Sequence, residues 1–177
     1  MNMRNNKPAH IGAASPTDAE AIARVAREIW YLHYPGIITV GQIDYMLGER
    51  YRPDIIADQI KANEAWWDKL EVGSWLAGFA GYEPGATVGS VKLDKLYVHP
   101  RVQGCGYGYA LVQHVEACSR ARGFSSLYLQ VNKGNTASIA FYRKAGFAVT
   151  DNVRVDIGNG YVMDDFVMSK HLGVSVE

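Results

Sequence analysis

The sequence predicts an α/β domain built on a mixed sheet, antiparallel in its first half and parallel in its middle. Three observations carry this expectation. Strand-like runs at 65–71, 75–83 and 88–98 are separated by the turn compositions "VGS" and "EPGAT", the pattern of an antiparallel meander. The run to Val98 then passes through a glycine turn into a helical stretch at about 106–122 and on to the strand "SSLYLQVN". Strand, helix and strand in that order imply parallel neighbours joined by a right-handed crossover. Finally, 177 residues with 48% hydrophobic and 20% charged side chains suit one domain with one sizeable core.

Residues 1–8 read as a loose tail, 9–172 as the domain and 173–177 as a second tail. "AHIGAA" is a short strand. It leads into "SPTDAEAIARVAREIWYLHY", where Ser15 caps, Pro16 suits the first helical position and Asp18 completes a capping box. Ile22, Val25 and Ile29 share one face of that helix. After "YPGII", Thr39 and Gln42 repeat the capping-box spacing ahead of Ile43, Met46 and Leu47, and Ile55, Ile56 and Ile60 mark a further short helix. Beyond the meander, Gly123 stands at a helix C-terminus behind Arg120 and Arg122. A second helix, "NTASIAFYRKAGF", is capped by Asn135 and stopped at Gly146. "FAVTDNVRVDI", "GNG" and "YVMDDFVMSKHL" close the chain as a hairpin.

Eighteen basic residues balance eighteen acidic ones, which argues against bulk binding to nucleic acid or an anionic membrane. Cys105 and Cys118 provide neither a disulfide framework nor a metal-ligand cluster, so no metal is expected. "MNMRNNKPAH" has charge but no apolar stretch behind it, and no window approaches the ~20 apolar residues of a membrane span. A cytoplasmic protein is expected.

The chemistry concentrates in "HPRVQGCGYGYALVQHVEACSRARGF", residues 99–124. A glycine-rich turn that leaves a strand and opens a helix aims several backbone N–H groups at one point, and the helix dipole adds positive potential there. This is a phosphate cradle. A P-loop string is absent, and the G-x-G-x-G spacing of Gly104, Gly106 and Gly108 does not match the dinucleotide G-x-G-x-x-G. What fits is Q-x-x-G-x-G, written here as Gln103-Gly104-Cys105-Gly106-Tyr107-Gly108. With "LYVHP" before it and "NTASIAFYRKAGF" about thirty residues later, the chain resembles the GNAT superfamily of acyl-coenzyme A dependent N-acetyltransferases over nearly all of 9–172.

The resemblance implies a central sheet whose parallel middle pair splays apart, with acetyl-CoA as co-substrate. Its pyrophosphate would lie on the backbone of residues 103–109, including Tyr109, and its pantetheine arm along Leu96, Tyr97 and Val98. A backbone N–H of that strand would face the acetyl oxygen. Asn135 would add a hydrogen bond to the cofactor. Tyr142 stands where similar enzymes carry a general acid for the departing thiolate, a task a phenol with pKa near ~10 suits. Asp94 is a candidate base. Alternation of Lys92, Asp94, Leu96 and Val98 along one strand face would turn it toward the splay. Glu83 is the second candidate. Tyr31, His33 and Tyr34 lie in a segment that the resemblance makes a substrate wall. Asp164 and Asp165 either attract a cationic amine or face solvent. His99 is a turn residue, and Trp66, Trp67 and Trp75 lie on strands and belong to the core or an interface.

A small primary amine is the expected acceptor. The segment "YPGIITVGQIDYMLGERY" resembles polyamine-type bacterial members. A protein or peptide acetyltransferase and a coenzyme A sensor without turnover remain alternatives, since substrate choice lies in variable loops. The final hairpin leaves a strand free for a homodimer.

Overall fold

The computed structural model describes residues 8–173, so most of both expected tails lies outside the described residues. Its strands are β1 (Ala9–Ala13), β2 (Trp66–Val72), β3 (Trp75–Pro84), β4 (Ser90–Val98), β5 (Ser126–Asn132), β6 (Ala148–Gly158) and β7 (Tyr161–His171). The helices are α1 (Ala19–His33), α2 (Val40–Arg50), α3 (Pro53–Ala62), α4 (Tyr107–Ala121) and α5 (Thr136–Lys144). One seven-stranded sheet runs in the order β1-β2-β3-β4-β5-β7-β6. Only β4–β5 is parallel; every other neighbouring pair is antiparallel.

Local chemistry accounts for the helix ends. The Thr39 hydroxyl accepts from the Gln42 N–H at 3.2 Å, and Asn135 Oδ1 accepts from the Ser138 N–H at 3.2 Å, so both N-caps form; the Gln42 side chain, however, donates to the Val162 carbonyl at 3.2 Å instead of closing a capping box on Thr39. At Ser15 the capping box forms, with its N–H donating to Asp18 Oδ2 at 2.8 Å, but Pro16–Asp18 make a 3-10 turn before α1 begins at Ala19. Gly146 takes φ +93° just after α5, a conformation a side chain disfavours.

Two apolar layers sandwich the sheet. On one face α4 and α5 bury Leu111, Val112, Val115 and Ile139 against Leu70, Val91, Leu127 and Met168. On the other, α1, α2 and α3 bury Ile22, Ile29, Ile43 and Ile56 against Trp67 and Phe79. No helix of the described residues is long and apolar enough to cross a membrane.

The feature that positions the site lies in β4. Gly81 pairs with Lys95 but Tyr82 with Leu93, leaving Asp94 as an extra residue in a β-bulge. The strict alternation expected for Lys92, Asp94, Leu96 and Val98 is therefore broken. Val91, Leu93, Leu96 and Val98 pack on the α4 side, whereas Lys95 and Tyr97 turn toward Trp67 and Phe79. Leu96 and Val98 thus leave the face that Asp94 shares with Lys92. The bulge also bends β4 away from its parallel neighbour. Pairing with β5 is confined to Ser90–Lys92 against Ser126–Tyr128, while β5 stays on β7 as far as Asn132 and β4 on β3 as far as Val98. The parallel pair splays, and the sheet opens.

Candidate active site

The opening is a cleft of about 160 Å³ reaching from α1 and α2 through the sheet to α5. That is smaller than the ~300 Å³ at which whole-ligand pockets begin. From the α1–α2 side come His33, Tyr34, Gln42 and Arg50, and from the α5 side Asn135, Ser138 and Tyr142.

Four tyrosines give the cleft neutral, proton-bearing walls. The hydroxyls of Tyr34 and Tyr97 lie 3.0 Å apart, and burial pushes both phenols well above the ordinary tyrosine range. Burial does the same to Tyr51. Tyr142 is 9% exposed, wedged edge-on between Phe141 and Phe147 with ring centroids at 5.1 and 5.7 Å. Burial alone raises its pKa, so its hydroxyl stays protonated at neutral pH.

Two carboxylates line the cleft, and their environments are opposite. Burial would raise the Asp94 pKa, but the ammonium groups of Lys95 and Lys92 outweigh it and hold the carboxyl well below the usual carboxylate range. Lys92 Nζ stands 2.8 Å from Asp94 Oδ1, and Lys95 Nζ contacts Oδ2 while lying over the Trp67 ring at 5.0 Å. Asp165 is 1% exposed, and its Oδ1 has no hydrogen-bond partner among the described residues. Burial, with some repulsion from Asp164, pushes it up to about 6. Its neighbour Asp164 points the other way, into solvent, where Lys133 Nζ meets it at 2.5 Å.

Leu96, Tyr97, Val98, Gln103, Asn135 and Tyr142, the expected cofactor contacts, all line the cleft. Gln103 Nε2 donates to the Val98 carbonyl at 3.0 Å and so ties the turn to the end of β4. Gly104, Cys105, Gly106, Tyr107, Gly108 and Tyr109 form the turn and first turn of α4, outside the cleft. Gly104 and Gly106 adopt φ +76° and +84°, which only glycine takes readily. Gly108 has a different reason: a Cβ there would meet the Phe141 ring at 3.3 Å, so it lets α4 and α5 approach. Among the substrate-wall candidates, His33 and Tyr34 reach the cleft. Tyr31 does not line it; its hydroxyl donates to Asp44 and Arg27 covers its ring. Glu83 also falls outside, opposite Lys92 on β3. His99 is buried in the turn, where its Nδ1 accepts from the Arg101 N–H at 3.2 Å.

A strand splayed from its parallel partner, followed by a glycine turn on a helix N-terminus, matches known proteins. The model of the Acetyltransferase (GNAT) family matches residues 27–147. The chain belongs to the GNAT acetyltransferase family. It is 27% identical over 151 residues to spermidine N(1)-acetyltransferase of Thermoplasma acidophilum, covering 83% of this chain and 90% of that one. The crystal structure of PaiA N-acetyltransferase from the same organism, in complex with coenzyme A, superposes with a TM-score of 0.80 at 27% identity over 93% of this chain and 99% of that one. A peptidyl-lysine N-acetyltransferase of Escherichia coli, YjaB, is 41% identical, but over 70 residues only, 39% of this chain and 44% of that one.

This GNAT enzyme is an N-acetyltransferase with acetyl-CoA as its co-substrate. The residues of the turn fit that molecule. A Cβ placed on Gly106 would project into space with nothing within 4 Å, at the point where the first N–H groups of α4 converge. Between β4 and β5, the backbone of residues 94–97 has no strand partner on its splayed side among the described residues, leaving donors and acceptors for an amide-bearing arm.

Proposed function

We propose that this enzyme acetylates a primary amine of a small polycation of the spermidine type, with Tyr142 and Asp165 moving the protons. The observation that carries the reading is the pair of groups facing one cleft: a phenol that burial keeps protonated, and a buried carboxylate whose Oδ1 has no hydrogen-bond partner among the described residues and whose pKa stays raised although Arg50, Lys133 and Lys92 oppose the shift. Bound acetyl-CoA supplies an activated acetyl group. Asp165 receives a proton from the incoming ammonium, which must lose it before nitrogen can attack. Its pKa of about 6 makes it a better acceptor than an ordinary carboxylate. Tyr142 gives its proton to the departing sulfur, and the second proton that the nitrogen sheds on becoming an amide restores the phenol. Asp94, neutralised by two ammoniums, shapes the bulge and positions Lys92 and Lys95 instead of acting as base.

Neutral overall charge and the similarity to a spermidine acetyltransferase across most of the chain both support a small diffusible amine. Cys105 and Cys118 are free thiols, in keeping with a cytoplasmic enzyme. β6 forms the edge of the sheet and exposes Val149 and Val155, which supports a homodimer through the final hairpin.

The test is thiol release from acetyl-CoA in the presence of spermidine, spermine, short diamines, aminoglycosides or lysine-containing peptides. Polyamines are expected to give the highest kcat/KM. Preference for peptides, or release at background with every polyamine, overturns the substrate assignment. A rise in Tm on adding coenzyme A separates that failure from loss of cofactor binding.

A further inference from the structure

Away from the cleft, the fold brings together three side chains that the acetyl transfer does not use. His114 and Cys118 are four residues apart on α4 and so share one face of it. Asp68 comes from β2, beneath that face, and is 5% exposed. His114 Nε2 stands 3.3 Å from Asp68 Oδ2 and 3.5 Å from Cys118 Sγ, and the three ligand atoms lie within 4.8 Å of one another. None of the three lines the cleft.

We propose that Asp68, His114 and Cys118 form a binding site for Zn²⁺, with the fourth position open toward solvent. Protons alone satisfy this arrangement poorly. One ring nitrogen faces both other atoms, so in a hydrogen-bonded form it donates to only one of them well. If Nε2 is unprotonated it accepts from the thiol and confronts a carboxylate oxygen lone pair to lone pair. A cation at the centre removes that conflict.

The spacing matches the ion. Tetrahedral zinc with bonds of about 2.0 Å to nitrogen and oxygen and about 2.3 Å to sulfur separates its ligands by about 3.3 Å for N···O and about 3.5 Å for N···S. The two contacts of His114 Nε2, 3.3 and 3.5 Å, equal those separations, and the Asp68 and Cys118 ligand atoms lie within 4.8 Å of each other, so a small approach of the two closes the site around the ion. One carboxylate and one thiolate neutralise its double charge, and a neutral imidazole completes the set. Binding converts the Cys118 thiol to thiolate and releases one proton to solvent. A nitrogen, a sulfur and an oxygen favour a borderline cation over Mg²⁺ or Ca²⁺. The support expected behind a ligand is also present: the fully buried Tyr82 donates its hydroxyl to the same Asp68 Oδ2 at 2.8 Å. Asp68 and His114 are separated by half the meander and the glycine turn, and the packing of α4 on β3 and β4, next to β2, brings them together. The expectation that the chain has no metal-ligand cluster rested on cysteine spacing, which this arrangement evades.

The site would staple α4 to the sheet without entering the chemistry. To test it, chelator-treated protein is titrated with Zn²⁺ and, separately, with Co²⁺ as a spectroscopic substitute. One equivalent should bind and raise Tm. Cobalt should show the thiolate charge-transfer band and the strong visible absorption of a tetrahedral site. Cys118→Ser should remove the charge-transfer band, whereas Cys105→Ser should leave it unchanged. Tyr82→Phe should lower zinc affinity about 10-fold through loss of support to Asp68. Zinc should also slow alkylation of Cys118 and spare Cys105, a readout that needs no variant to fold. No charge-transfer band, equal binding by Cys118→Ser, or alkylation of Cys118 indifferent to zinc each overturns the proposal.

Discussion

Replacing Asp165 with asparagine should make this enzyme more stable and less active, and the pH at which each effect appears is set by the structure. The carboxyl has a pKa of about 6 in the folded chain against 3.8 when exposed. Because the raised value means the folded state holds the proton more tightly, folding takes up a proton between the two values. Stability from this group is therefore full below about pH 4 and is lost as pH rises through about 6. A shift of about two units corresponds to about 3 kcal/mol carried as a penalty at pH 8. The asparagine variant never ionises. It should match the parent at pH 4 and exceed it at pH 8, by roughly 6–12 °C in Tm for a domain of this size. Urea denaturation at a series of pH values reads the difference directly. In parallel, kcat/KM for spermidine should fall roughly 100-fold and lose the acid limb near pH 6, while coenzyme A affinity stays unchanged. Equal stability of the two proteins relative to each other at pH 4 and pH 8 would refute the buried, uncompensated carboxylate. Retention of the acid limb would refute its role as proton acceptor.

Tyr142→Phe removes a hydroxyl that burial keeps protonated, so kcat should fall roughly 100-fold with coenzyme A affinity nearly unchanged, as measured by steady-state kinetics and calorimetry. Gly106→Ala meets no atom but must hold φ +84°, and should cost about 1–2 kcal/mol in urea denaturation as well as weakening coenzyme A binding. Gly108→Ala should weaken both by another route, a Cβ pressed at 3.3 Å on Phe141, and Phe141→Leu should partly rescue it. Asn135→Ala should lose about 1 kcal/mol as an N-cap, which Asn135→Asp should largely restore, since the carboxylate still accepts from the Ser138 N–H.

What was legible in the sequence follows the range of the interactions. Thr39, Asn135 and Gly146 act on backbone groups within a few residues, and their elements begin and end where the residues say. The splay was foreseen only through the resemblance carried by two motifs. Its physical cause, the bulge at Asp94, depends on how β3 and β4 register across Gly81 and Tyr82, and no local pattern in "SVKLDKLYV" announces it. Reading that strand at strict period two therefore put Leu96 and Val98 on the wrong face. Gly108 shows the same limit: its reason is Phe141, on a helix that follows an intervening strand.

The proposed base is the sharpest case. "YVMDDFVM" puts adjacent aspartates on opposite faces of β7, and both faces mix polar with apolar residues, so period two cannot say which one is buried. Phe166 and Met168 decide it by packing under α4 and α5, which turns Asp165 to the other face and into the cleft. Once there, the two cleft carboxylates differ in one respect. Asp94 has Lys92 and Lys95 against it; Asp165 has no ion-pair partner among the described residues. Arg50, Lys133 and Lys92 act on Asp165 without forming an ion pair and do not offset its burial, so its ionised form opposes folding at neutral pH, and a neutral side chain of the same shape would relieve it. An arriving ammonium is the partner whose charge removes that penalty, and its proton is the one that the reaction requires it to surrender.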